Sequence, residues 1–290
     1  MSSLKEIKGR IASVKSTQKI TSAMKMVASA KLRKAQNRIE QFLPYEKRLK
    51  SILDNFLASD MDSFATPLSE ERETKRVAVV VLSSNSGLCG AFNSNILNLM
   101  SRTLDAYRAK NIEILVYPFG KKVEENLKKA KIPVETKGTY QKLVDSPDYE
   151  VIKAVADELI EDFLNKKIDR VDLVYNHFKN TAVQIPTCEQ FLPLKLSKPD
   201  GKQIPGDYIV EPNRDAALNA LLPKTLRSKV FSVLLDSVAA EHGARVMAMQ
   251  IATDNADDLL EGLTIQLNKQ RQQAITSELL DIIGGSEALK

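Results

Sequence analysis

The sequence predicts a mixed α/β fold: a long antiparallel coiled coil of the N- and C-terminal helices, with a central, mostly parallel βαβ domain between them in sequence. Two observations predict it, an apolar heptad stripe near each end of the chain and strands alternating with helices in the middle. We expect an N-terminal coiled-coil helix at 1–57, a linker at 58–75, an α/β domain at 76–195, a foot (a loop and short helix) at 196–223, and a C-terminal coiled-coil helix at 224–290.

The N-terminal helix is expected from about residue 3 to at least residue 42. With residue 4 at the first core position, apolar side chains fill most core positions of the heptad, namely Leu4, Ile7, Ile11, Val14, Ala28, Leu32, Ala35, Ile39 and Phe42. Three consecutive core positions are polar instead: Gln18, Thr21 and Lys25. Here we expect the apolar face to move to Ile20, Met24 and Val27, a change that a regular coiled coil would not need.

The C-terminal helix is expected from about residue 224 to residue 283, because no proline follows Pro223. Alanine recurs at every fourth position from 240 to 256, and such a ridge of small side chains lets a partner helix approach closely. The N-terminal helix is the one other segment long enough to be that partner. We therefore expect the two ends to pair antiparallel, with Met24 close to the Arg271 region.

The middle of the chain has the pattern of a Rossmann-like parallel sheet, in which short apolar runs alternate with amphipathic helices. The unbroken apolar run 77–82 predicts a strand covered on both faces. The expected strands are 77–82, 112–117, 132–137, 171–178 and 182–191, and the expected helices are 93–108, 121–129 and 149–165. The segment 196–212 is rich in Pro and Gly and is expected to be an exposed loop.

Positive charge is concentrated at the N-terminus. The first fifty residues carry thirteen Lys or Arg and three Glu, whereas the whole chain has a net charge of only +5. Such a stretch indicates an acidic partner, whether protein, phosphate or lipid headgroup. A transit peptide is also basic, but the helical pattern continues past residue 40, which disfavours that interpretation. No apolar run approaches the roughly 20 residues needed to cross a bilayer.

The loop 83–93 is the main candidate for chemistry, because it follows a predicted buried strand and opens a helix, where phosphate loops lie. It matches neither the dinucleotide nor the P-loop glycine pattern and contains no Lys. We prefer a tight turn with its glycines at positive φ, and a buried Cys89 thiol rather than a nucleophile.

Other reactive residues give no pattern of an active site. His177 and His242, the only histidines, lack Cys or acidic residues at metal-ligand spacing, so no metal or other cofactor is expected. Two distant cysteines indicate a reducing compartment. The acidic cluster at 254–261 is interpreted as a solvated helix face. Two alternatives stay open: a small α/β enzyme that binds a nucleotide at the Gly87 loop, and a basic helical nucleic-acid binder. The scarcity of aromatic residues in the basic stretch disfavours the second.

Three parts of the chain contain distinctive motifs. The N-terminal part contains IKGRIASVKSTQKITSAMKMVA at 7–28, the loop after the first predicted strand contains GLCG at 87–90 followed by Phe92 and Asn93, and the C-terminal part contains ARVMAM at 244–249, ATDNA at 252–256 and RQQAITSE at 271–278. These motifs resemble those of the gamma subunit of F-type ATP synthases, and the likeness covers essentially the whole chain. The chain departs from the family pattern at Asn85, Ser86, Ala91, Gln273 and Ser286.

The resemblance implies a non-catalytic rotor that couples proton flow to ATP synthesis or hydrolysis. The paired ends would stand inside a ring of three alpha and three beta subunits. The α/β domain would meet the epsilon subunit and the membrane c ring, at the cytoplasmic face of the bacterial inner membrane as a peripheral protein. No cofactor, nucleic acid or small-molecule substrate is implied. By position, the residues that would contact the beta subunits are Met24, Arg245, Gln272, Thr276 and Glu278, and those of the foot are Tyr208, Glu211 and Pro212.

Overall fold

The computed structural model describes residues 4–58, 66–130, 135–138, 140–195, 211 and 213–288. In these ranges lie the elements α1 (Leu4–Ala58), β1 (Arg76–Leu82), α2 (Phe92–Arg108), β2 (Glu113–Phe119), α3 (Lys121–Lys129), β3 (Glu135–Thr136), α4 (Gln141–Asp145), α5 (Tyr149–Leu164), β4 (Arg170–Phe178), β5 (Gln184–Leu192) and α6 (Arg214–Ala288). The chain divides into two compact units, unit 1 (Met1–Ala28 and Val246–Lys290) and unit 2 (Ser29–Arg245).

Unit 2 contains a five-stranded sheet in the order β3-β2-β1-β4-β5. Strand β1 pairs in parallel with β2 and β4, β3 extends the parallel part, and β5 is antiparallel to β4. The predicted α/β class with a mostly parallel sheet is confirmed. The unbroken apolar run of β1 reflects its central place. Ala78 and Val80 face a core that includes buried residues of α5 and α6, while Val77 and Val79 face α2 and α3.

The predicted elements of the sheet region begin and end within about two residues of the observed ones, apart from the third strand. The short α4 and a 3-10 turn at Pro67–Ser69 were not predicted, because neither is long enough to show a periodic pattern. The described part of the expected third strand is β3, Glu135–Thr136, and residues 131–134 lie outside the described residues.

Both terminal helices continue through a proline. Helix α1 passes Pro44, and α6 begins at Arg214, about ten residues before the expected start, with Pro223 inside it. An internal proline removes a helical hydrogen bond at a cost of about 3 kcal/mol. Burial offsets that cost, since the leucines at 218, 222 and 226 are almost fully buried and each such side chain contributes roughly 2 kcal/mol.

The segment before β1, predicted as a linker, is held to the rest of unit 2 by Arg72 and Asp169. Arg72 Nε donates to Asp169 Oδ1 at 2.7 Å, and its Nη2 donates to the carbonyl of Phe163 at 2.8 Å. The other oxygen of Asp169 accepts the backbone N–H groups of Lys75 and Arg76, each at 2.9 Å. This carboxylate therefore holds the start of β1 to the segment that precedes β4.

These contacts make the stability of unit 2 depend on the charge of Asp169. Burial alone would raise the pKa of Asp169, but hydrogen bonds from Arg76, Lys75 and Arg72 hold it below its ordinary value of 3.8. A carboxyl whose pKa is lowered by folding stabilises the fold above its unfolded pKa. That contribution is lost as the pH falls through the folded pKa.

We predict that Asp169→Asn lowers the free energy of unfolding by about 2 kcal/mol at pH 7, because an amide faces three donors in place of a carboxylate. The difference between the two proteins should shrink as the pH falls below 3.8. Urea denaturation followed by circular dichroism at several pH values measures both effects. Asp105→Asn is the control, since the Asp105 side chain is exposed and forms an ion pair with Arg108 at the surface. An equal loss in both variants at pH 7 would contradict the prediction.

Candidate functional site

Unit 1 consists of two helical segments packed along an apolar seam. Its buried apolar side chains come from both segments and recur at helical spacing: Ile7, Ala28, Met249, Ala256 and Leu263. The alanine ridge serves two different partners, however. Ala256 is buried in unit 1, whereas Ala240 and Ala244 pack in unit 2 against Cys89 and Phe92.

A ladder of polar contacts crosses the seam of unit 1 where the heptad pattern fails. Gln18 Nε2 donates to Asp257 Oδ1 at 2.6 Å, the Thr21 and Thr253 hydroxyls lie 2.9 Å apart, and Lys25 Nζ donates to Gln250 Oε1 at 2.8 Å. Residue numbers rise on α1 as they fall on α6, so the two segments are antiparallel as predicted. We call these three pairs the polar ladder.

The polar ladder corrects two expectations. The apolar face does not move to Ile20 and Val27, which are 59% and 57% exposed; the seam keeps its heptad phase and is filled by hydrogen-bonded polar residues. Met24 also does not lie near Arg271. Its neighbour Lys25 pairs with Gln250, and Arg271 lies about twenty residues further along α6, roughly 30 Å away at 1.5 Å per residue.

The other residues singled out on unit 1 lie at its surface. Met24 is half-buried, and Gln272, Thr276 and Glu278 are exposed on α6. The Thr276 hydroxyl donates to the Gln272 carbonyl at 2.9 Å within the helix. This end of α6 also exposes several large apolar side chains, at Ile275, Leu279, Leu280, Ile282 and Ile283. A cluster of this kind marks a surface that a partner covers.

The loop between β1 and α2 is built from hydrogen bonds within unit 2. Asn85 Oδ1 accepts the Lys121 N–H at 3.0 Å, and its Nδ2 donates to the Gln141 carbonyl at 2.8 Å. Asn93 accepts the Ser84 N–H at 3.1 Å and donates to the Ser84 hydroxyl at 2.7 Å. The loop's side chains thus join the starts of α2, α3 and α4, and they are satisfied by the chain itself.

The backbone of this loop is a tight turn, but its left-handed residues differ from those expected. Leu88 and Gly90 have positive φ angles of 61° and 57°, whereas Gly87 does not. Leu88 is 63% exposed, so a large apolar side chain in a strained conformation stands at the surface. Next to the loop, Gly120 has a φ of 95°, and a Cβ there would overlap with the Ser83 carbonyl.

Cys89 is a buried thiol, as preferred from the sequence. Asn93 Nδ2 lies 3.2 Å from its sulfur, and the Ser84 hydroxyl lies at 3.9 Å. Burial raises the pKa of the Cys89 thiol, and the nearby Arg245 guanidinium opposes that rise only in part. Neither Asn93 nor Ser84 can take the proton from the thiol. With its pKa also raised, the Cys89 thiol is a poor nucleophile.

Arg245, predicted as a contact to another subunit, is engaged within unit 2. Its Nη1 donates to Glu241 Oε1 at 2.7 Å, and its Nη2 donates to the Ser86 hydroxyl at 3.0 Å. This pairing could not be predicted from the sequence, because Glu241 is an isolated acidic residue on a long helix and belongs to no motif. Burial, with the nearby charges of Arg245 and Lys31, lowers the pKa of His242 to about 4. His242 is therefore neutral at pH 7.

The foot residues are described only in part. Glu211 is exposed, and Tyr208 and Pro212 lie outside the described residues. Within the described ranges, no group of three or more His, Cys, Asp or Glu side chains could hold a metal ion. Across the same part of the chain, no helix combines the length and apolarity that a membrane span requires.

Comparison with known proteins gives a consistent result. The family model described as ATP synthase matches residues 3–289. The chain is 55% identical to the ATP synthase gamma chain of Phocaeicola vulgatus, over 99% of this chain and all of that one. It is 53% identical to the ATP synthase gamma chain of Azobacteroides pseudotrichonymphae, over the full length of both.

Solved structures show the same fold at lower sequence identity. The rotor of the Euglena gracilis mitochondrial ATP synthase in rotational state 1 matches with a TM-score of 0.62 and 19% identity, over 94% of this chain and 98% of that one. The central stalk and c-ring structure of the Tetrahymena thermophila mitochondrial ATP synthase matches with a TM-score of 0.59 and 23% identity, over 80% of this chain and 99% of the other.

We predict that Thr21→Cys with Thr253→Cys forms a disulfide on mild oxidation, because the two hydroxyls lie 2.9 Å apart across the seam. The background is Cys188→Ser, which removes the exposed native thiol. The altered mobility of the looped chain on a non-reducing gel reports the bond. The matched control is Thr21→Cys with Arg271→Cys, which should stay reduced. Bonding in the control but not in the first pair would show that the register is wrong.

Proposed function

Because this chain belongs to the gamma chain family of ATP synthases, we propose that it is the central rotor shaft of an F-type ATP synthase. It couples proton flow through a membrane ring to ATP synthesis or hydrolysis. The chain is a non-catalytic subunit. Its partners are the alpha and beta subunits of the catalytic ring, the epsilon subunit and the membrane c ring.

The observation that carries the proposal is the outer surface of unit 1. The exposed apolar side chains at the end of α6 have no partner within the described part of unit 1 and suit a shaft enclosed by other subunits. On α1, Ile20, Met26 and Val27 are also exposed beside the polar ladder. Methionine and exposed aliphatic side chains fit a surface that meets several differing partners in turn.

The basic character of α1 supports the same role. Lys8, Arg10, Lys15 and Lys19 are all exposed on its first turns. They can meet acidic segments of each catalytic subunit in turn, and exposed ion pairs are worth only about 0–1 kcal/mol each. Contacts this weak let the shaft turn without being trapped. An asymmetric shaft then shifts the conformational equilibrium of each catalytic site differently.

We assign the contacts with the beta subunits to Met24, Gln272, Thr276 and Glu278, together with the surface around Arg245. Tyr208, Glu211 and Pro212 form the foot that meets the epsilon subunit and the c ring. The assembled chain lies at the cytoplasmic face of the bacterial inner membrane as a peripheral protein. The exposure of Gln272, Thr276, Glu278 and Glu211 is compatible with these contacts.

The test is single-molecule rotation of the chain in a complex with its alpha, beta and epsilon subunits. A bead is attached to Lys110→Cys, an exposed position just after α2, in the Cys188→Ser background, with the ring fixed to the surface. We expect unidirectional rotation in the presence of ATP, with pauses of three-fold symmetry, because three catalytic sites act on one shaft.

The control is the same complex with ADP in place of ATP, in which the bead should show only thermal motion. A second control carries the bead on a beta subunit, which should not turn relative to the ring. A complex that assembles and hydrolyses ATP while the bead on Lys110→Cys stays still would overturn the proposal.

A further inference from the structure

Glu241 on α6 carries a buried carboxylate that belongs to none of the proposed contact surfaces. Glu241 is only 5% exposed, and its neighbours Ala240 and Ala244 are buried against the loop. Burying an acidic side chain is costly unless it is paired and hydrogen-bonded. It pairs with Arg245, four residues later on the same helix, whose Nη1 donates to Glu241 Oε1 at 2.7 Å.

This pair differs from the usual ion pair on a helix surface. An exposed pair at this spacing contributes only a few tenths of a kcal/mol. Here the side chains of Glu241 and Arg245 are 6% and 11% exposed, so solvent screens them little. Removing one partner of a buried pair leaves the other charge uncompensated.

The guanidinium of Arg245 connects Glu241 to the loop between β1 and α2, because it donates hydrogen bonds to both. Its nitrogens form a rigid planar fork, so fixing Nη1 also fixes the direction of Nη2. Nη2 donates to the Ser86 hydroxyl at 3.0 Å and to the Gly87 carbonyl at 3.4 Å. Neutral His242 presents its ring Nδ1 to Nη1 at 3.4 Å, on the same helix.

The loop contacts α6 both before and after Leu88, its strained and exposed residue. Arg245 holds Ser86 and Gly87 before it, and Cys89 packs against Ala240 and Ala244 after it. Arg245 is also the last residue of unit 2, while α6 continues without a break into unit 1. The loop is thus attached to α6 in the final helical turn that belongs to unit 2.

We propose that Glu241 is a positioning residue, whose buried carboxylate orients Arg245 onto Ser86 and Gly87 and so clamps α6 to the carboxyl end of β1. Resting on the proposed function as a rotor, this clamp makes the sheet of unit 2 turn with α6 when torque passes along the helix. Arg245 acts here inside the chain, and the surface that another subunit meets at this point is the loop that Arg245 holds.

The thiol of Cys89 provides a native probe of the clamp, because the sulfur is buried where the loop packs against Ala240 and Ala244 of α6. In the full chain with Cys188→Ser, the rate of Cys89 alkylation is compared for Glu241→Met and Glu241→Gln. Both variants keep the side-chain shape and remove the charge, so any direct electrostatic effect on the thiol cancels. Only Gln retains an oxygen that accepts from Arg245. We expect roughly tenfold faster alkylation for Met and a rate within about threefold of the parent for Gln.

Two controls separate the clamp from a general loss of structure. Arg227→Met also breaks an ion pair of α6 in unit 2, with Asp157, and should leave the Cys89 rate unchanged. Ser86→Ala should raise the rate, and adding it to Glu241→Met should raise it little further, because both changes act through Arg245. Equal rates for Glu241→Met and Glu241→Gln would overturn the clamp.

The mechanical part is tested in the assembled enzyme reconstituted into vesicles, as protons pumped per ATP hydrolysed. We expect a lower ratio for Glu241→Met and a ratio near that of the parent for Glu241→Gln. Equal ratios for both variants would overturn the clamp's part in transmission. Failure of the parent chain itself to support pumping would count against the proposed rotor function instead, so the two failures are distinguishable.

Discussion

The structure depends on one continuous helix that must bury different faces in two compact units. In unit 2, α6 buries Leu218, Leu222 and Leu226 in the core beneath the sheet, and in unit 1 the same helix buries Met249, Ala256 and Leu263 against α1. Tertiary burial at that spacing is strong enough to carry the helix through Pro223, as it carries α1 through Pro44. Apolar burial along the long helices organises each unit, and in unit 2 the sheet packs against the buried side chains of α6.

The seam of unit 1 is specified by polar contacts as well as by apolar ones. Gln18, Thr21 and Lys25 each have a named partner across the seam, and a shift of register would separate all three pairs at once. These partly exposed polar pairs favour one register of the seam, as a polar core residue does in a coiled coil. The apolar side chains that would otherwise have filled these positions, such as Ile20 and Val27, are left on the outer surface for partner subunits.

Periodicity in the sequence predicted the longer helices, the strands and the mostly parallel sheet, because each depends on local apolar spacing. The polar ladder could not be predicted that way. A heptad analysis shows that Gln18 and Lys25 break the pattern, but not that Asp257 and Gln250 stand opposite them. The clamp also could not be predicted from the sequence, since the burial of Glu241 and the direction of the Arg245 side chain depend on where the loop after β1 folds back. Tertiary contacts rather than residue type also determined the backbone conformation of this turn, so the positive φ lies at Leu88 and not at Gly87.

The unbroken course of α6 through both units has a consequence for how such a chain can change in length. Adding a single residue near position 245 would rotate all later side chains by about 100° about the helix axis, turning Met249, Ala256 and Leu263 away from α1. A change of seven residues in α6 alone would restore the same face, but it would move Gln250, Thr253 and Asp257 away from their partners on α1. A substitution along either helix leaves this facing unchanged, whereas a one-residue insertion or deletion inside the helix does not.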